Sequence, residues 1–125
     1  MSTASQTRLA NVGRILFAIV LLPFGLSHFS MAEKAPEMLP AFLPFPLFWV
    51  YFSGVALVAA ALCIAFNRMV RPACFGFAAF LVLVIGMIHV PMLMAGVDTI
   101  HTVGNLLRDI ALLGASLFIA AESQN

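Results

Sequence analysis

The stretch VGNLLRDIALLGASLFIAA, residues 103–121, decides the class of fold, because it is long and apolar enough to cross a lipid bilayer. About 20 residues of helix span the hydrocarbon core. Within its first turns, however, the stretch carries Asn105, Arg108 and Asp109. An ionisable side chain at the bilayer centre costs about 2.5 to 3.5 kcal/mol on insertion scales, so such residues usually mark function. The stretch therefore predicts a membrane helix and also the place where a site should be sought.

Three further apolar stretches have spanning length, namely residues 9–29, 47–66 and 73–94. The chain is only 9% charged, against roughly 25% for a soluble domain, so a membrane protein is indicated. None of the stretches alternates polar and apolar residues, which argues against a membrane β-barrel. The first stretch is also too long for the apolar part of a signal peptide. We predict an all-α membrane protein, a four-transmembrane-helix bundle forming one domain over residues 1–125.

The distribution of charge predicts the orientation of this bundle. Arg8 precedes the first helix, and Arg68 and Arg71 follow the second, whereas the two opposite connections offer only Lys34, plus Arg108 if it counts as flanking. Because positively charged loops stay on the cytoplasmic side of a membrane, we expect both termini to be cytoplasmic. We expect the membrane to be a bacterial inner membrane. A net charge of +1 leaves no basic face for phosphates, so nucleic acid is not an expected partner.

Counting depth along the helices brings five polar side chains to one level. His28 lies at the outer end of the first helix, and His89 lies five residues, roughly 7 to 8 Å, before the outer end of the third. Asn105, Arg108 and Asp109 fall in the outermost two turns of the fourth, where spacings of three and four residues make Asn105 a neighbour of the other two. We predict that these five residues form an outer-leaflet cluster able to bind a ligand.

Other polar and proline residues are assigned to the structure of the bundle. Arg14 lies near the opposite end, on the order of 15 Å in depth from Asp109 within a core about 30 Å thick, so we expect it to reach the cytoplasmic headgroups. Pro91 cannot donate to the carbonyl of Met87 and should kink the third helix. The proline-rich, apolar connection of residues 31–46 suits the membrane interface, where it would anchor the chain or cover a pocket.

Four interpretations of the polar cluster remain open. It is structural if Arg108 or His28 satisfies Asp109 and Asn105 bonds His89. It is a site for a small amphipathic molecule, such as a quinone, if these donors bind carbonyl oxygens while Asp109 orients them or relays a proton. A metal site would use both histidines and Asp109, with or without His101, but the Glu-x-x-His spacing typical of helical ligands is missing, so no metal is predicted. An ion pathway would need more polar residues further inward than the helices supply.

Several segments resemble the DoxX family of small four-helix membrane proteins. They are GRIL at 13–16 with PFGLSHF at 23–29, PFP at 44–46 leading into VYFSGVAL at 50–57, and NLLRDIALLGA at 105–115, where the family repeats an Asn, a basic residue and an Asp. The resemblance implies a four-helix bundle in membrane redox metabolism, since the family takes its name from a subunit of a thiosulfate:quinone oxidoreductase.

Two functions follow from that resemblance as expectations. The first is a small membrane component of a quinone-linked redox system, with the outer-leaflet cluster as the quinone site. The alternative is a non-catalytic accessory or assembly subunit that docks onto a larger membrane complex, since eukaryotic relatives of similar shape act as assembly chaperones. Expected partners are the lipid bilayer, a quinone or lipid, and other subunits or further copies of the chain. No catalytic residue is assigned.

Overall fold

The computed structural model describes residues 1–125 and is all-helical. Four helices are long and apolar enough to cross a membrane: α1 (Thr3–Ser30), α2 (Pro46–Ala65), α3 (Val70–Met94) and α4 (Thr99–Glu122). The all-α class and the four apolar helices predicted from sequence are thereby confirmed. The chain is accordingly treated as an integral membrane protein in a lipid bilayer.

The helices extend beyond the apolar stretches, because their ends are set by local chemistry. Helix α1 begins six residues before its apolar stretch, where the Ser2 side chain accepts a hydrogen bond from the Ser5 N–H. Such a side-chain cap satisfies one of the first free N–H groups of a helix. Helix α4 begins at Thr99, directly after Asp98 in the left-handed conformation, and this adds one turn before Val103.

The bundle consists of two antiparallel helix pairs, α1 with α2 and α3 with α4, which are joined by packing of α2 on α3. Glycine allows the first pair to approach closely. A Cβ on Gly25 would lie 3.0 Å from the Leu57 Cβ and from the Val58 nitrogen, and a Cβ on Gly54 would lie 3.0 Å from the Phe29 ring. Gly25 therefore serves helix packing and leaves no room there for a flat ligand.

Both termini lie at one end of the bundle, called here the terminal end, together with the α2–α3 turn. The Asn125 amide donates to the Asn67 carbonyl at 2.8 Å, and the Asn125 carbonyl accepts from the Arg71 N–H at 2.8 Å. The Arg14 guanidinium donates to the carbonyls of Ile64 and Ala65 at the end of α2. The expectation that Arg14 reaches for headgroups is thus corrected: the last carbonyls of a helix lack partners within it, and Arg14 satisfies two of them.

The opposite end, called the connector end, holds the links α1–α2 and α3–α4. The first link contains a 3₁₀ turn, Ala32–Lys34, and a short helix, Ala35–Met38, and its last part is fixed by a hydrogen bond of 2.8 Å from the Trp49 indole to the Pro44 carbonyl. Near this end α3 widens into a π-turn, Ile85–His89, in which the Val90 N–H bonds the Ile85 carbonyl. The sequence predicted a kink at Pro91 and not a π-turn; the π-turn lies directly before Pro91, where a local π adjustment can accommodate a missing N–H inside a membrane helix.

Candidate functional site

The centre of the site is the Asp109 carboxylate, which is fully buried. Its Oδ1 atom accepts two hydrogen bonds from the neighbouring Arg108, one from Nε at 3.1 Å and one from Nη2 at 2.9 Å. Asp109 is ten residues into α4, about 15 Å along the axis from Thr99. A charge at this depth needs close partners, since an unpaired buried carboxylate is strongly unfavourable.

The second partner of Asp109 comes from the π-turn of α3. The Nδ1 atom of His89 lies 2.6 Å from the Oδ2 atom of Asp109, and the two side chains are 11% and 0% exposed. The two atoms are close enough for a hydrogen bond but are not aligned for one, and neither atom has another hydrogen-bond partner. The meeting follows from helix geometry, because side chains lean toward the N-terminus of their own helix and α3 and α4 are antiparallel.

Arg108 links this pair to α1. Its Cζ atom lies 5.2 Å from the centroid of the Phe24 ring, a cation–π distance, while its side chain remains 45% exposed. The Nη1 group makes no hydrogen bond, since only Nε and Nη2 point at Asp109. The guanidinium is therefore held between a carboxylate and an aromatic ring, with unused donors at the lipid-facing surface of the bundle.

His28 joins the same region through aromatic contacts and not through Asp109. Its ring lies 5.5 Å from the Phe24 centroid and 5.8 Å from the Phe80 centroid, edge to face in both cases. Its Nδ1 lies 3.0 Å from the Phe24 carbonyl, and since a carbonyl can only accept, Nδ1 carries the proton. The expected pairing of His28 with Asp109 is thus absent, because His28 bonds its own helix instead.

Asn105 is half-buried and makes no side-chain hydrogen bond, so the expected bond to His89 is also absent. It lies one turn nearer the connector end than Arg108 and Asp109, whereas the His89 Nδ1 faces Asp109. The structure therefore brings together His89, Arg108 and Asp109, places His28 beside them across Phe24, and leaves Asn105 free.

Sequence reasoning missed the aromatic residues of the site. Phe24 precedes His28 by four residues and so shares its helix face, a signal that could have found it. The role of Phe80 on α3 depends on how the helices pack and had no sequence signal. Ser116 is the next polar residue after Asp109 along α4. Its hydroxyl donates to the Cys74 carbonyl at 2.7 Å, which connects α4 to α3.

An open groove lies apart from the polar cluster, at the connector end, with a volume of about 480 Å³. It is bounded by the α1–α2 link, by α3 and by the α3–α4 loop, and its lining consists of Met38, Leu39, Pro40, Phe42, Gly86, Met87, Ile88, Pro91, Met92, Ala95 and Val97. None of the five predicted ligand-binding residues lines it.

No three His, Cys, Asp or Glu side chains come together in a way that could hold a metal ion. His101 pairs with Asp98 in the exposed first turn of α4, with Nδ1 and Oδ1 2.8 Å apart, and takes no part in the polar cluster.

Fold and site together define a four-helix integral membrane protein in which a buried His–Asp pair contacts a partly exposed arginine that packs on an aromatic ring. The chain belongs to the family described as Domain of unknown function (DUF8561), whose model matches residues 17–117. That range includes every residue of the polar cluster. No curated protein and no solved structure matches the chain. The resemblance to the DoxX family stays a prediction.

Proposed function

We propose that the chain is a small membrane component of a quinone-linked redox system and binds a quinone, or a similar amphipathic molecule with carbonyl groups, beside Arg108. One observation carries this proposal: Arg108 is 45% exposed within a membrane-spanning helix, and its Nη1 donors are unused. Polar donors without partners are costly in hydrocarbon. A ligand carbonyl lying in the membrane would satisfy them.

The surroundings of Arg108 suit a flat head group. Phe24 packs against the guanidinium on the α1 side and Asp109 bonds it, so little side-chain freedom of Arg108 is lost on binding. Asn105, one turn nearer the connector end, supplies a free amide that can donate or accept. His89 acts indirectly, as a positioning residue, by holding the second carboxylate oxygen.

His28 extends the site to the reduced form of such a ligand. Because its Nδ1 donates to the Phe24 carbonyl, the Nε2 of the neutral imidazole is an acceptor. It can accept from a quinol hydroxyl, whereas Arg108 can donate to a quinone carbonyl. Both groups lie beside the same Phe24 ring. We assign binding, and not electron transfer, to this chain, so the electrons would come from a partner subunit.

The test is native purification followed by mass spectrometry of the extracted small molecules. We expect the wild-type protein to retain a quinone and Arg108→Gln to bind it about ten- to a hundredfold more weakly, since a hydrogen bond from a charged donor contributes about 1.5 to 3 kcal/mol. Arg8→Gln is the matched control, because it is the same substitution at an exposed position near the terminal end. Wild-type extracts that contain only bulk phospholipid would overturn the proposal.

A second function is favoured by a different surface. Near the connector end α2 exposes the aromatic residues Phe48, Trp49 and Phe52, which contact one another. Aromatic residues are enriched in the centres of protein interfaces. In this alternative the chain is a non-catalytic accessory or assembly subunit that docks onto a larger membrane complex, and the polar cluster only holds the bundle together. Gentle extraction would then recover a larger complex, whereas a chain that runs alone and monodisperse would exclude this function.

A further inference from the structure

The groove at the connector end is chemically uniform. None of its eleven lining residues is charged, and three of them are methionines, whose flexible side chains adapt to irregular apolar partners. A Cβ on Gly86 would meet nothing within 4 Å, so the groove is open at that point. Its volume of about 480 Å³ lies within the range of roughly 300 to 1,000 Å³ found for ligand pockets.

The surroundings of the groove identify the chemistry of its occupant. Its wall on α3 belongs to the membrane-spanning segment Val70–Met94, and Phe42 on the opposite wall is 77% exposed. No charged residue occurs between Met38 and Asn67. The groove is thus lined by uncharged residues beside the membrane-spanning helix α3, and the charged residues next to it in sequence, Glu37 and Asp98, lie outside its lining. An uncharged hydrocarbon chain matches both features.

The same wall also carries the buried partner of Asp109. Gly86, Met87 and Ile88 of the π-turn line the groove, while His89, the last residue of that turn, contacts Asp109. A π-turn holds one residue more than a regular α-helical turn. Conversion to an α-helix would rotate His89 by about 100° about the helix axis and separate it from Asp109.

We propose that the groove binds an acyl chain of a membrane phospholipid, and that the π-turn couples its occupancy to the His89–Asp109 contact. An acyl chain packed on Gly86, Met87 and Ile88 holds the wide turn in place. When no chain packs on these three residues, the turn has space to change its geometry within the limit that Pro91 sets, and His89 moves with it. The groove and the His89–Asp109 contact then lie on two sides of one turn, and this coupling does not depend on quinone binding.

The binding step is tested with the full chain in nanodiscs that contain phosphatidylcholine with a photoreactive diazirine on one acyl chain. We expect the wild type to be labelled on the Met38–Phe42 segment, and Gly86→Phe, which places a ring in the groove, to lose that labelling. Labelling of the exposed α4 residues Leu107 and Ile110 is the internal control and should be equal in both proteins. Equal labelling of the 38–42 segment in both proteins overturns the lipid site.

The coupling step is tested by nitrogen-15 NMR of the histidine side chains in detergent micelles, with His89 assigned through His89→Gln. We expect the His89 signals to move when phosphatidylcholine is added to the delipidated wild type, and Gly86→Phe without lipid to give the lipid-bound signals. Loss of labelling with unchanged His89 signals overturns the coupling. If Gly86→Phe does not fold, Met92→Trp fills the groove from its other end and decides the same question.

Discussion

Asp109 is the residue through which three helices are connected. It contacts His89 of α3 directly and reaches α1 through Arg108, which stacks on Phe24. The backbones of α1 and α4 hardly contact each other, whereas the α1–α2 and α3–α4 pairs are closely packed. Asp109 therefore adds a polar connection between the first and last helices to the apolar packing of Leu112 and Ala120 in the core they share with Phe17 and Leu21.

Replacing Asp109 by Asn should destabilise the bundle by about 3 kcal/mol, because His89 and Arg108 would lose their shared acceptor charge. The measurement is unfolding in mixed micelles, followed by circular dichroism. Asp98→Asn is the matched control, since Asp98 also pairs with a histidine but at an exposed position, and it should leave unfolding unchanged. Equal stability of Asp109→Asn and the wild type would show that the cluster does not hold the helices together.

Arg14 supports a second single-residue prediction. Arg14→Gln should cost about 1.5 to 3 kcal/mol of stability, because a charged donor to the Ile64 and Ala65 carbonyls is lost at the end of α2. The same unfolding assay applies. Arg8→Gln changes the same charge in the same helix without removing a hydrogen bond and should have little effect, so similar losses in both variants would contradict the role assigned to Arg14.

At the scale of the helices, glycine decides how closely α1 and α2 pack. Gly25→Ala should destabilise by about 1 to 3 kcal/mol, because its Cβ would come within 3.0 Å of the α2 backbone at Val58. Gly13→Ala in the same helix meets nothing within 4 Å, so its higher helix propensity should leave stability unchanged or raise it by up to about 1 kcal/mol. Thermal unfolding of the two variants in one detergent makes the comparison, and a Gly25→Ala protein as stable as Gly13→Ala would refute close packing there.

The helices were predictable from the sequence because spanning length and lack of charge are properties of the chain alone. The ends of α1 and α4 were not predictable, because polar turns that follow Ser2 and Asp98 extend these helices beyond their apolar stretches, and hydropathy does not detect such turns. Pro91 predicted a kink in α3, and the π-turn Ile85–His89 was not predicted. The missing N–H of proline marks where a helix is interrupted but does not specify the geometry that accommodates it.

At the scale of the whole molecule, depth counting located the polar cluster but could not assign its partners. Depth follows from rise per residue, and it correctly brought His89 to the level of Asp109. Partner choice depends on rotation and side-chain direction, which is why His28 bonds the Phe24 carbonyl and Asn105 remains free. The apolar groove had no sequence signal, because it forms between the α1–α2 link and α3 only after the bundle has assembled.

The orientation of the whole bundle in its membrane gives the last prediction. Both termini share an end with Arg8, Arg68 and Arg71, so from the positive-inside rule we expect that end to face the cytoplasm. In a bacterial host, green fluorescent protein fused after Asn125 should fluoresce and alkaline phosphatase fused there should be inactive. Fusions after Gly96, in the α3–α4 loop, are the control and should show the reverse pattern. Active phosphatase after Asn125 would place the polar cluster and the groove nearer the cytoplasmic face, and any quinone or lipid would then reach them from the inner leaflet.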